Sequence, residues 1–279
     1  MAITSDLGGK NYVLGRGRLY FDRFTPTQVA AGISASTRGE GETYFGNTPD
    51  LSMTASEDTL DHFDSDQGVR TKDDSVSLQL DRTGSFTTDN ISKENLALYF
   101  LSDGATSVVQ VSALAATFEI KAARPGKFYQ IGAGPSLPAG VRNVSNVSVD
   151  KGVGYATDVP AATNWEIDEA TGRIYILPTS AGIPDNAGAG TDIQVTYDLG
   201  ATTREQIISK STSIYGALRF VADNPKGKNR DYYWPYVKLA PDGDYNLKGD
   251  DWQSMSFSFE ALKKATNIEA VYIDGRGVV

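Results

Sequence analysis

His62 is the only histidine of this 279-residue chain, and Asp58 and Asp61 stand just before it. With a serine, these types could build a Ser-His-Asp relay, in which the imidazole takes the proton of the nucleophile. No Gly-x-Ser-x-Gly elbow presents such a serine, so a surface histidine is the simpler reading. Glu57, Asp58, Asp61, Asp64 and Asp66 form an acidic cluster around it. Calcium prefers several oxygen ligands, but Asp64-Ser-Asp66-Gln-Gly68 has its glycine one place early for an EF-hand loop and no closing glutamate. A solvated acidic loop accounts for the cluster, and no metal is assigned. Acids are numerous enough for a glycosidase pair, yet nothing singles one out. Gly15-Arg-Gly17 and Gly132-Ala-Gly134 open no predicted helix, which removes the nucleotide-loop reading. Lys226-Gly-Lys-Asn-Arg230 is a small basic turn that could touch phosphate. Tyr232-Tyr-Trp-Pro-Tyr236 could stack sugars or bases, or could pack a strand end on a core or a neighbouring subunit. No catalytic residue and no cofactor are assigned, so a chain that is not an enzyme is expected.

Cysteine is absent. That excludes disulfides, thiolate nucleophiles and cysteine metal sites together. Met1 to Lys10 carries neither a basic n-region nor an apolar h-region, so no secretory signal is expected. The Asn-x-Ser triplets at Asn90, Asn143 and Asn146 are then coincidences. No apolar run is long enough to span a bilayer as a helix, so no membrane insertion is expected. The net charge is −9, and it is unevenly spread. Between Glu40 and Asp103 fourteen acidic side chains face four basic ones, a net −10, against +3 for 1–39, −3 for 104–205 and +1 for 206–279. An acidic balance of this kind argues against tight nucleic-acid binding.

The elements that would carry these groups read mostly as strands. Val76, Leu78 and Leu80 alternate with Ser77, Gln79 and Asp81. Met255, Phe257 and Phe259 alternate with Ser254, Ser256, Ser258 and Glu260. Each segment has one oily and one small polar face. Arg18–Phe21, Ala217–Phe220, Tyr236–Leu239 and Ala270–Ile273 add short strands, with turns at Asn224–Gly227 and Pro241–Gly243. One short helix is expected from a Ser92 cap to Leu101, closed by Asp103-Gly104, with Glu94 in its first turn and Ile91 and Leu96 as a hydrophobic staple. From 105 to 205 the composition shifts towards Ala, Gly, Val and Thr, with strands at 118–121, 144–149, 165–167, 173–177 and 192–197. That block reads as a small Ig-like β-sandwich inserted into a β domain made of 1–104 and 206–279.

The order of many weak pieces resembles the major tail tube protein of long-tailed, non-contractile bacteriophages. They are Tyr44-Phe-Gly-Asn-Thr-Pro49 and the acidic loop, Val69-Arg-Thr-Lys-Asp-Asp-Ser-Val76, Phe86-Thr-Thr-Asp-Asn-Ile-Ser-Lys-Glu-Asn-Leu96, Gly216-Ala-Leu-Arg-Phe220, and Val237-Lys-Leu-Ala-Pro-Asp-Gly243 leading to Trp252. Trp165-Glu-Ile-Asp168 and Gly172-Arg-Ile-Tyr175 look like the extra β domain some of these proteins carry on the exterior. The resemblance implies an all-β fold, a tail-tube β-barrel or sandwich. It also implies homo-hexameric rings stacked into a tube in the virion, assembled in the host bacterial cytoplasm. Implied partners are the tape measure protein, tail terminator and tail tip proteins, and double-stranded DNA in transit, not tightly bound. Ser77, Gln79, Asp81, Ser254, Ser256, Ser258 and Glu260 are then expected to face the lumen. A loop of about Gly46 to Thr71, holding Glu57, Asp58, Asp61, His62, Asp64 and Asp66, would bridge rings together with the termini. The rival expectation is a carbohydrate- or receptor-binding β-sandwich protein without tube assembly.

Overall fold

A computed structural model describes residues 11–66 and 68–276. The expected bridging role of the termini therefore falls partly outside the described residues. The chain is all-β in class, with two short α-helices among the described residues. It divides into two compact units, Met1–Ala105 with Ile207–Val279, and Thr106–Gln206. In chain order the strands are β1 (Gly17–Arg23), β2 (Thr43–Tyr44), β3 (Asp50–Asp64) and β4 (Thr71–Thr88). The middle segment then supplies β5 (Ala105–Gln110), β6 (Ala113–Ala123), β7 (Phe128–Gln130), β8 (Val144–Lys151) and β9 (Thr157–Asp158). It continues with β10 (Trp165–Asp168), β11 (Arg173–Ile176), β12 (Thr191–Leu199) and β13 (Thr202–Ile207). The chain returns with β14 (Ile214–Ala222), β15 (Arg230–Asp242), β16 (Met255–Ala261) and β17 (Tyr272–Gly275).

The first unit is built on one antiparallel sheet in the order β2-β1-β14-β15-β16-β4-β3, with β17 beside the start of β15. Its core side carries Phe86 opposite Phe257, and Phe45 joins them from the β2–β3 connection, with ring centroids 4.7–5.8 Å apart. Trp234 meets Phe259 edge-on at 5.4 Å. Gly84 lies against that phenylalanine, where an added Cβ would sit 2.4 Å from the ring. Only glycine lets β4 approach β16 so closely here.

Helix α2 (Lys93–Tyr99) starts as its sequence requires, with Ser92 Oγ accepting from the Asn95 amide. It ends earlier than Asp103-Gly104 would suggest. Leu101 takes a left-handed φ of 53°, the Ser102 amide donates to Ala97 and the Leu101 amide to Leu98. That is a Schellman closure made without glycine. The buried Asn95 amide group donates to the Phe45 and Asn90 carbonyls, each at 2.8 Å, pinning the segment that leads into β3. A second helix, α1 (Pro26–Ala31), was not expected, although Thr25 and Gln28 form a full capping box with proline following the cap.

In the second unit, a four-stranded sheet (β6-β12-β8-β9) and a three-stranded sheet (β10-β11-β7) contribute to one core that includes Ile120, Val149, Trp165, Ile174, Ile193 and Val195. Trp165 satisfies its indole by donating to the Val159 carbonyl at 2.8 Å. β5 and β13 pair with each other.

Candidate functional site

The acidic segment expected to be a loop is a strand. β3 pairs with β4 from Asp50↔Thr87 to Asp64↔Thr71, so Glu57, Asp58, Asp61, His62 and Asp64 belong to a long hairpin and Asp66 to its turn. Strand alternation explains why no cage forms. It sends Glu57 and Asp61 to one face and Asp58 and Asp64 to the other. Among the described residues no group of three or more acidic or histidine side chains could hold a metal. Asp61 is bonded instead by Lys72 (2.6 Å) and Ser75 (2.7 Å), and these bonds, Lys72 first, hold its carboxyl below the ordinary carboxylate range. His62 Nδ1 lies 2.6 Å from Asp73 Oδ1, not near Asp58 or Asp61. Among the described residues no serine hydroxyl is bonded to it.

β16 ends its pairing with β4 at Glu260↔Thr83. Beyond that point β3 and β4 continue as a two-stranded arm, Ala55–Asp64 with Thr71–Arg82, supported by no other described strand. The expected oily face of β4 is therefore not buried: Val76, Leu78 and Leu80 remain exposed, as do Leu60, Phe63 and Val69. The clean alternation is also broken. The pairing passes from Asp58↔Gln79 to Thr59↔Ser77, leaving Leu78 as an extra residue. Such a bulge exchanges the faces beyond it. Leu80 thus shares a side with Phe86, while Val76, opposite Leu60, lies on the reverse side.

The same count corrects the expected polar set. Ser256, Ser258 and Glu260 pair with Thr87, Ser85 and Thr83, and Gln79 and Asp81 share that face. Ser77, past the bulge, does not, and Ser254 lies just ahead of β16. β3 extends the face with Ser52, Thr54 and Ser56 opposite Ser85, Thr83 and Asp81. Neighbouring hydroxyls bond across it, Ser52 to Ser85 at 3.1 Å and Thr87 to Ser256 at 3.0 Å. The result is a lawn of eight small hydroxyl side chains, joined by Asp50, Asp58, Asp81 and Glu260. On these three strands no Lys or Arg shares the face; the first cation met is Lys238 on β15, opposite Glu260. Ser52-x-Thr-x-Ser56 and Thr83-x-Ser-x-Thr87 were visible alternations that sequence reasoning passed over.

The remaining motifs are absorbed by the fold. Trp234 and Pro235 are buried in β15, and Arg219 lies over the Tyr233 ring at 4.4 Å. Tyr233, Trp234 and Pro235 are therefore taken up by packing within the sheet, while Tyr232 is half-buried. In the second unit the exposed Phe128 ring has Tyr175 stacked at 4.3 Å and the Arg173 guanidinium 4.7 Å from its centroid. Among the described residues no helix is long and apolar enough to cross a membrane.

A search of curated proteins finds no match to the chain. A family described as Protein of unknown function UCP028589 matches residues 27–272, and the chain belongs to that family.

Proposed function

We propose that this chain is a structural virion protein, the tail tube subunit of a long, non-contractile bacteriophage tail. Hexameric rings of it stack into a conduit for double-stranded DNA. The observation that carries the reading is the continuous hydroxyl and acidic face of β16, β4 and β3. A polyanion moving along such a wall meets repulsion and small, interchangeable hydrogen-bonding groups. It meets no guanidinium on this face of the three strands to grip phosphate in bidentate fashion, since Arg82 pairs with Ala55 on the other side.

Two further features support assembly. Among the described strands β3 pairs only with β4, so a long outer edge is free, and β2 at the other edge is two residues long. Edges of this kind are closed in nature by pairing or covering, and closure between copies makes rings. The unsupported arm is the second feature, because an isolated two-stranded ribbon is marginal in water and gains order from a neighbour. In this reading the chain acts without a cofactor and is not an enzyme. Its partners are its own copies, the tape measure protein, the tail terminator and tail tip proteins, and DNA in transit.

Negative-stain electron microscopy of the purified chain, fresh and after days at high concentration, tests the reading. Hollow, regularly striated tubes are expected. Monodisperse globular particles, even with a tail tip or tape measure protein added as nucleus, would overturn it.

A further inference from the structure

A cleft of about 800 Å³ opens in the first unit beside the start of the arm. Phe220, Tyr232 and Trp234 line it together with the cations Arg16, Lys228 and Arg230, and Asp50 is the one carboxylate among its lining residues. Among the described residues none of these three cations takes part in an ion pair. Trp234 is 2% exposed, and its indole N–H has no partner among the described residues. Buried donors are rarely left so in a complete assembly. An aromatic, basic cleft of this kind suits an apolar segment that carries acids.

The chain possesses such a segment. Between Ala55 and Arg82 eight acidic side chains stand against three basic ones. The distal end of the arm shows Phe63 and Val69 to solvent, next to Asp64 and Asp66. The arm does not reach its own cleft. Met53 lines the cleft, and β3 runs unbroken from there to Asp64, eleven residues on. At about 3.3 Å per residue this is about 36 Å away.

We propose that the tip of the arm of one copy docks in the Trp234 cleft of the next, with Phe63 and Val69 on its aromatic residues and Asp64 and Asp66 against Arg16, Lys228 and Arg230. This names the receiving surface for the assembly proposed above and rests on that reading. The contact joins two different patches, so it is heterologous; made from one ring to the next, it repeats along the stack. It spaces successive clefts by about the length of the arm.

The absence of cysteine makes the test clean. Full-length D66C and K228C proteins, one carrying a tag, are mixed and treated with a short bis-maleimide linker. A D66C and S258C mixture serves as control. The expected result is a mixed cross-linked dimer at least tenfold above control, and a ladder of multimers from the D66C/K228C double variant. In a second arm, K228E/R230E raises the concentration needed for assembly at least tenfold, and adding D64K/D66K to the same chain restores it. Striated tubes with cross-linking only at control level and no charge-swap rescue would overturn the docking and leave the tube reading standing. Absence of both tubes and cross-links would overturn both.

Discussion

If the apolar side chains of the arm serve contacts between copies, their removal should affect assembly and spare the isolated subunit. Leu60 and Leu78 are 63% and 62% exposed, so roughly three fifths of each side chain remains to be covered. Full burial of a leucine is worth about 1.5–3 kcal/mol, which leaves about 1–2 kcal/mol each for a partner to gain. L60S or L78S should therefore raise the critical concentration for assembly by about 5- to 30-fold. The subunit itself should change by no more than about 0.5 kcal/mol, as exposed positions do. Critical concentration is read by light scattering and sedimentation, and subunit stability by denaturant unfolding below that concentration. A subunit destabilised by several kcal/mol, with assembly unchanged per folded molecule, would overturn this assignment. It would mean these leucines pack within the chain.

Three other outcomes follow from the same contacts. Phe257→Ala removes the ring on which Phe45, Phe86 and Tyr99 converge, and should cost about 3–5 kcal/mol in unfolding of the first unit; a loss under about 1 kcal/mol would deny that cluster its role. S85R/S258R places two guanidiniums on the hydroxyl lawn: folding and tube formation should persist while DNA delivery by the resulting particles falls, and undiminished delivery would count against a passive anionic wall. The folded arm holds the Asp61 carboxyl below its ordinary range, chiefly through Lys72. Such a depressed value favours the paired arm above the unfolded value, and the benefit disappears as pH falls through the folded one. Protection of the Lys72 and Ser75 amides, measured against the intrinsic exchange rate at each pH, should therefore fall in acid in the wild type and less so in D61N; identical protection profiles would contradict this.

How far the sequence foretold these surfaces depended on how local the signal was. β16 was legible because Met255, Phe257 and Phe259 meet a core and their intervening residues do not, so period two survives unmodified. The start of α2 was legible because Ser92 caps it by a contact three residues away. Its end was not, since Leu101 adopts a conformation that residue type rarely signals. β3 escaped notice because its aspartates, which strands disfavour, outweigh Thr54 and Thr59, and its pairing partner, β4, lies across a turn. The bulge at Leu78 depends on the register between two strands, which alternation in one of them does not encode. The cleft joins residues near 16, 50 and 230, and no local pattern reports such a meeting. By contrast, the basic turn at Lys226–Arg230 and the aromatic run after it were each visible as motifs, and only their meeting with Arg16, Asp50 and Phe220 was not.

A cryo-EM reconstruction of tubes grown from the purified chain tests directly whether the hydroxyl face lines the lumen. Rings whose inner wall carries Ser52, Ser85, Ser256 and Ser258 towards the lumen are expected. A tube with that face turned outwards, or a preparation that yields only discrete globular particles, would contradict that expectation.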